Sequence, residues 1–447
     1  MPTTTATIAA FIAGLDYSAI PAEVLGRAKR QAADAIGVAL AGRTQPVGGL
    51  IARFVERTGG VPDCAIWGTG LRSSAPQAAL ANGVFCHATD YDDMWLPGTH
   101  PTGVLLPAAM ATAEMVGASG RELLAALVAG YEVMGKLHSC VSGRRGWHPT
   151  PVFGTLGAAA ASAKLLGCDQ RAIQLALGIA ASEASGVGAQ SGTMTKPFHS
   201  GHAARSGVVA AMLAAEGFSA HDEVIDHGFF EPFFGGGSES AWPATAQLGN
   251  PFHLASPGIG LKMYPSGYYL HHTFEAALEL VQRYDVRPEM VTAAEVGTPR
   301  PGHFDRPVLR EGLAGKFSHQ CHVALAVLDG KLTIESFSDE RALAPEVAEL
   351  MQKVRLRVDP SLPANPDLSY WPVTFWLADG RVVTASQPLP RSHWRYPLSR
   401  EEWVGKYTAN ARRVLDEARA GQVLGMVEGL EGLADVRTLT SLLACGA

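Results

Sequence analysis

The sequence predicts a mainly α protein: a large all-helical domain plus a smaller α+β lid domain. Three observations predict it. Apolar residues return at spacings of three and four from residue 5 to about 220, short β-branched runs replace them after about residue 256, and helical spacing resumes near residue 398. These changes divide the chain into a discontinuous helical domain, residues 1–256 and 392–447, and an inserted α+β domain, residues 257–391.

In chain order, IPAEVLGRAKRQAADAIGVALAG (20–42), RELLAALVAGYEVMGKLH (121–138) and TLGAAAASAKLLG (155–167) carry the helical spacing of apolar residues. Ser119 marks a helix start, and Gly42 and Gly167 mark helix ends. The Ala and Gly on these faces allow helices to approach closely. Further helix starts are expected near His100, Thr155 and His202. In the α+β part, HHTFEAALELVQRY (271–284) and SHQCHVALAVLDG (318–330) read as helices, and AAEVGTP, VRLRVDP and VTFWLADGRVVTAS read as strands. The last of these is folded back at Asp379-Gly380. Ser399 followed by Glu401 and Glu402 opens the C-terminal helices, which are expected to rejoin the first domain.

The chain has 447 residues, 47% of them hydrophobic, 17% charged, with a net charge of −6. No basic field exists to draw nucleic acid or an anionic membrane. The N-terminus lacks the early basic residues of a secretion signal, and charges or Gly interrupt every apolar stretch before the roughly 18 residues a membrane span needs. A cytoplasmic location is the expectation. Cys64, Cys86, Cys140, Cys168, Cys321 and Cys445 are scattered singly, with no zinc or redox spacing. Only Cys321 lies in a polar stretch.

Against this apolar background five polar islands stand out: HATDYDDMWLPGTHPTG (87–103), GWHPT (146–150), GTMTKPFHSGHAARSG (192–207), LKMYPSGYYLHH (261–272) and GKFSHQCH (315–322). The first packs His87, Asp90, Asp92, Asp93 and His100 together, a mixture suited to a divalent metal or to acid/base chemistry. The spacing matches no familiar ligand pattern, and Lys196 and Lys262 in other islands would repel a metal, so no metal is expected. Asp92 and Asp93 are also suited to capping the helix that begins near His100. His148 precedes a helix and is suited to moving a carbon-bound proton. Lys196, with Thr193, Thr195 and a helix start around it, is suited to holding a carboxylate. Lys262 and Tyr264 stand before a second helix. Lys316 and Ser318 stand at the start of a third, a position good for an anion.

With these motifs in this order, the chain resembles the MmgE/PrpD family, which contains 2-methylcitrate dehydratases, cis-aconitate decarboxylases and iminodisuccinate epimerases. The resemblance covers nearly the whole chain. It implies the helical body with an inserted lid, a homodimer, and a cleft site without metal or organic cofactor. By motif position Asp90, His100, His148, Lys196 and Lys262 would contribute to that site. The expectation is that Asp90, His100, His148 and Lys196 are catalytic and that Lys262, Thr195, Tyr264 and Ser318 bind substrate.

Three positions depart from the decarboxylases: Gly267 stands where they have histidine, Cys321 where they have tyrosine, and Met94 where they have threonine. These departures disfavour cis-aconitate decarboxylation. The wording of the motifs is nearer to the epimerase, although a cysteine stands there at the position of Gly267. The resemblance therefore implies a lyase or isomerase, dehydratase or epimerase, acting on a small di- or tricarboxylate by proton transfer beside a carboxylate. A catalytically retired carboxylate-binding or scaffold protein is the alternative, and a metal-dependent hydro-lyase the third.

Overall fold

The computed structural model describes residues 2–95, 98–141, 145–235, 245–299, 304–363, 371–391 and 393–444. Ser392, at one expected domain boundary, and Cys445 lie outside them. The chain is mainly helical, and its buried apolar side chains fall into two clusters. The first runs from Ile8 to Leu261 and resumes from Leu398 to Leu443; the second runs from Phe274 to Ala385.

The first cluster is built from helices Thr4–Gly14, Ala22–Arg43, Pro46–Thr58, Ala75–His87, Thr102–Val116, Gly120–His138, Pro149–Leu165, Gln170–Glu183 and Thr195–Ala215. Many of its members are alanines, so the helices pack at close range. The closest approach matters most for the site. A Cβ on Gly83 would stand 2.7 Å from Gly201 Cα, and one on Gly201 would stand 2.2 Å from Leu80 O. Only glycine at both positions lets Ala75–His87 lie on Thr195–Ala215. The C-terminal helix Arg400–Ala411 packs into the same cluster, with Tyr407 against Gly37. Ser119 and Ser399 each close a capping box, with Glu122 and Glu402 respectively.

The second cluster joins helices Tyr269–Tyr284 and His319–Asp329 to a four-stranded sheet. In the sheet Val354–Val358 lies parallel to Val291–Thr298, followed by antiparallel Val373–Leu377 and Val382–Ala385. Strand alternation sends Val373, Phe375 and Leu377 inward and leaves Trp376 exposed. The expected Asp-Gly turn is present: Gly380 has φ 86°, and Asp379 accepts a bond from the Arg381 backbone N–H.

Three details differ from the sequence reading. The helix expected near Thr155 begins at Pro149, directly after His148. The helix expected near His202 begins at Thr195, which puts Lys196 in its first turn. Strand Asp93–Met94, only two residues long, pairs antiparallel with Gly260–Leu261. A two-residue strand has no periodicity to read. Among the described residues no helix is long and apolar enough to cross a membrane.

Candidate active site

Helix Ala75–His87 ends at His87, and the chain then turns through Asp90, whose φ of 53° lies in the left-handed region that Asp tolerates better than most residues. The pairing of Asp93–Met94 with Gly260–Leu261 brings Lys262 against this turn. Its ammonium donates to Asp90 Oδ1 at 2.5 Å and to the Asp90 carbonyl at 2.9 Å. Lys196, delivered by the helix that crosses at Gly201, donates to the same Oδ1 at 3.1 Å and lies 2.6 Å from His87 Nε2. Lys316 arrives from the segment before His319–Asp329 and donates to the Thr89 carbonyl at 2.5 Å. Three buried ammonium groups from three separate segments thus surround one short loop.

Histidines line the other side. His87 Nδ1 is 2.8 Å from Asp92 Oδ2, so the neutral ring donates to Asp92 and accepts from Lys196. The approach of Asp92 depends on Gly103, where a Cβ would stand 2.9 Å from Asp92 Oδ2. His100 donates from Nδ1 to the Asp93 carbonyl at 2.8 Å, which leaves Nε2 as the acceptor, 4.0 Å from Asp90 Oδ1. His148 Nδ1 lies 3.1 Å from His199 Nδ1, and the His148 ring is 6.4 Å from that of His100 and 6.3 Å from that of His87.

Burial alone would raise the Asp90 carboxyl, but the ammoniums of Lys196 and Lys262 outweigh it and hold the group well below the usual carboxylate range. Asp93 goes the other way. Burial, with the charge of Asp92, pushes its pKa well up, and it bonds instead to the Thr102 hydroxyl and backbone at the start of helix Thr102–Val116. His100 is kept neutral by burial and by the nearby lysines, and burial lowers His87. Burial lowers His199 to about 4 and Lys316 to about 7. Burial also lowers Lys196, against the pull of Asp90.

Ligand atoms of His87, Asp90, Asp92 and His100, or of His87, His100 and His148, lie within 4.8 Å of one another, close enough to share a metal ion. The donor set does not fit a dication as it stands. Lys196 already occupies the space between His87 Nε2 and Asp90 Oδ1, and Lys262 holds the same oxygen. Two ammoniums at that distance would oppose a divalent charge.

Asp90, His100, Lys196 and Lys262 therefore meet around one point, with His148 adjoining. Other expected positions fall elsewhere. Ser318 caps helix His319–Asp329, accepting from Cys321 N at 3.1 Å and donating to the Arg306 carbonyl at 2.8 Å, so its hydroxyl is consumed within the fold. Tyr264 packs on His271 and Phe274 and lines a groove of about 640 Å3 with Glu275, Gln387 and Arg391, apart from the lysines. Thr195 lies exposed on the first turn of its helix. Cys321 is buried in the second cluster, its thiol pushed up to about 12 by burial. Asp93 caps a helix as expected, whereas Asp92 orients His87.

Sequence reasoning passed over His199, gave His87 no separate role, and saw in Lys316 only a general suitability for an anion. All three sat in the polar islands, and the available signal was simply that a polar side chain recurred there.

Residues 6–240 match the MmgE/PrpD N-terminal domain and residues 264–431 the MmgE/PrpD C-terminal domain. The cis-aconitate decarboxylases of Mus musculus and Homo sapiens are each 31% identical to the chain over 98% of its length, covering 93% and 94% of their own. The cis-aconitate decarboxylase of Aspergillus terreus is 29% identical over 99% of the chain and 96% of its own length. These relatives are lyases. The two domain matches and the two relatives at 31% identity together show that the chain belongs to the MmgE/PrpD family.

Proposed function

We propose that the protein is a lyase of small di- or tricarboxylates that works, without metal or organic cofactor, by moving a proton on the carbon beside a carboxylate. Residues 257–391 act as the lid over a helical body, and the working form is a cytoplasmic homodimer. The observation that carries this reading is the surplus of buried cations around Asp90, with neutral imidazoles beside it. Removing a proton beside a carboxylate leaves an enediolate, whose added negative charge needs preorganised cations in a dry site. Lys196 and Lys262 supply them. His148 takes or returns the carbon-bound proton, and its contact with His199 fixes its ring. Asp90 bridges the two ammoniums through one oxygen and offsets their mutual repulsion, and His100 offers a basic Nε2 across from it.

The departures from the decarboxylases bear on which bond is broken beside the carboxylate. Gly267 supplies no side chain where the decarboxylases have histidine, and a Cβ there would stand 3.2 Å from the side chains of Leu270 and Phe317, which would have to shift to admit one. This favours expulsion of a leaving group over loss of carbon dioxide.

Proton NMR in deuterated water with citrate, 2-methylcitrate, iminodisuccinate, tartrate and malate tests the reading. Exchange or elimination of the proton beside a carboxylate is expected, and His148→Ala should lower the rate by about 10²–10⁴-fold while the fold is retained. Ligand-induced thermal stabilisation without exchange on any of these acids would instead mark a retired carboxylate-binding protein.

A further inference from the structure

Lys262 spends two of its three donors on Asp90, and Lys196 spends two on Asp90 and His87. These two ammoniums share one ionised carboxylate, that of Asp90, in bonding contact. Lys316 differs. It is 3% exposed, its bond runs to the neutral Thr89 carbonyl, and among the described residues it has no carboxylate partner. A buried ammonium without a counter-ion is costly unless an anion joins it. The charged groups facing Lys316 are Asp90 and Asp92 on the acidic loop, Lys196 on helix Thr195–Ala215, and Lys262 beside its strand. Asp90 is already bonded by two lysines and Asp92 bonds the neutral His87 ring, so the two acids leave one of the three ammoniums without a matching charge, and Lys316 is the one with no carboxylate in bonding contact.

We infer that Lys316 is a substrate-binding residue that sets the charge of the substrate, pairing with one carboxylate beyond those held by Lys196 and Lys262. This rests on the carboxylate-lyase reading and narrows it to acids carrying three carboxylates. Burial lowers the Lys316 amine to about 7, so the pairing weakens as pH rises above neutrality.

The test compares two acids that differ by one carboxylate, tricarballylate and glutarate, by titration calorimetry. Wild-type protein is expected to bind tricarballylate roughly tenfold to a hundredfold more tightly near neutral pH. In Lys316→Met that preference should collapse toward unity through weaker tricarballylate binding, with glutarate little changed. Loss of a merely structural tie to Thr89 would weaken both acids alike, and an unchanged preference in a folded Lys316→Met overturns the inference.

Should Lys316→Met fail to fold, wild type and Lys316→Arg decide the matter between about pH 7 and 9, where both acids are fully ionised. The preference should fall with pH in wild type and stay level in the arginine variant; parallel behaviour overturns the assignment. Tight binding of glutarate with no preference would reject Lys316 alone. Failure of wild type to bind either acid would reject the carboxylate reading with it.

Discussion

Asp90 and Asp34 are both buried carboxylates bonded by lysine, yet they are built differently. Asp34, within helix Ala22–Arg43, meets one cation: Lys406 of helix Arg400–Ala411 holds its two oxygens at 2.8 and 3.0 Å. A further donor of Lys406 goes to the Tyr91 carbonyl at 2.7 Å. Charge is matched one to one, and burial outweighs the pairing, so Asp34 is raised and Lys406 lowered. Asp90 has two ammoniums on one oxygen and a third beside the same loop, and its other oxygen, Oδ2, is buried without a hydrogen-bond partner among the described residues. A matched pair ties elements together; an unmatched cluster holds positive charge in reserve for a ligand. The two are joined in space, because Lys406 grips Tyr91, the next residue after Asp90 in the chain.

The largest expected effect breaks the unmatched cluster. Asp90→Asn keeps the shape and tolerates the left-handed backbone but removes the charge that bridges Lys196 and Lys262. Proton exchange on the preferred acid should fall by about 10³-fold or more, with far-ultraviolet circular dichroism unchanged. A loss of less than tenfold would place Asp90 with Asp34 as scaffolding.

The next effect breaks the matched pair. Lys406→Met leaves Asp34 buried without its bonded cation, with only the more distant Arg30 to answer its charge, which should cost about 3–5 kcal/mol in urea unfolding. Replacing both partners, Asp34→Leu with Lys406→Met, should recover most of that loss. Recovery is the sign of a structural pair. The same double logic applied to Asp90 and Lys262 should restore no activity, since there the charge itself does the chemistry.

Much of the Asp90 cluster was legible because a chain with few charges leaves each polar island conspicuous, and Asp90, His100, His148, Lys196 and Lys262 all sat in one. What was not legible depends on direction. Within LKMYPSG, Lys262 turns toward Asp90 and Tyr264 toward the groove at Glu275, and no spacing rule distinguishes the two in an irregular segment. Ser318 and Lys316 lie two residues apart, yet one caps a helix and the other reaches the site. The pairing of Asp93–Met94 with Gly260–Leu261, which brings Lys262 to Asp90, spans 168 residues and only two positions of strand. The helices were legible in the same way as the islands: a repeated local pattern shows itself, and a single long-range contact does not.

The smallest effect concerns Glu275, which has the burial of Asp90 but no lysine. Burial raises its carboxyl to about 7, and the Arg391 backbone N–H, at 3.1 and 3.2 Å from its two oxygens, offsets this only in part. A folded-state pKa above the unfolded value of 4.5 means that the fold prefers the protonated acid. Its contribution to stability is fully present below about pH 4.5 and is lost as pH rises through about 7. Glu275→Gln fixes the neutral form and can still accept from Arg391, so it should remove that loss. At pH 8 the variant should be more stable than wild type by ~1–3 kcal/mol, with the two converging near pH 4.5, as read from urea midpoints at each pH. Activity on the preferred acid should not change, because the groove at Tyr264 and Glu275 shares no residue with the lysine cluster. Equal pH slopes in the two proteins would mean that Arg391 already compensates Glu275, making it a matched site like Asp34 with a main-chain donor in place of lysine.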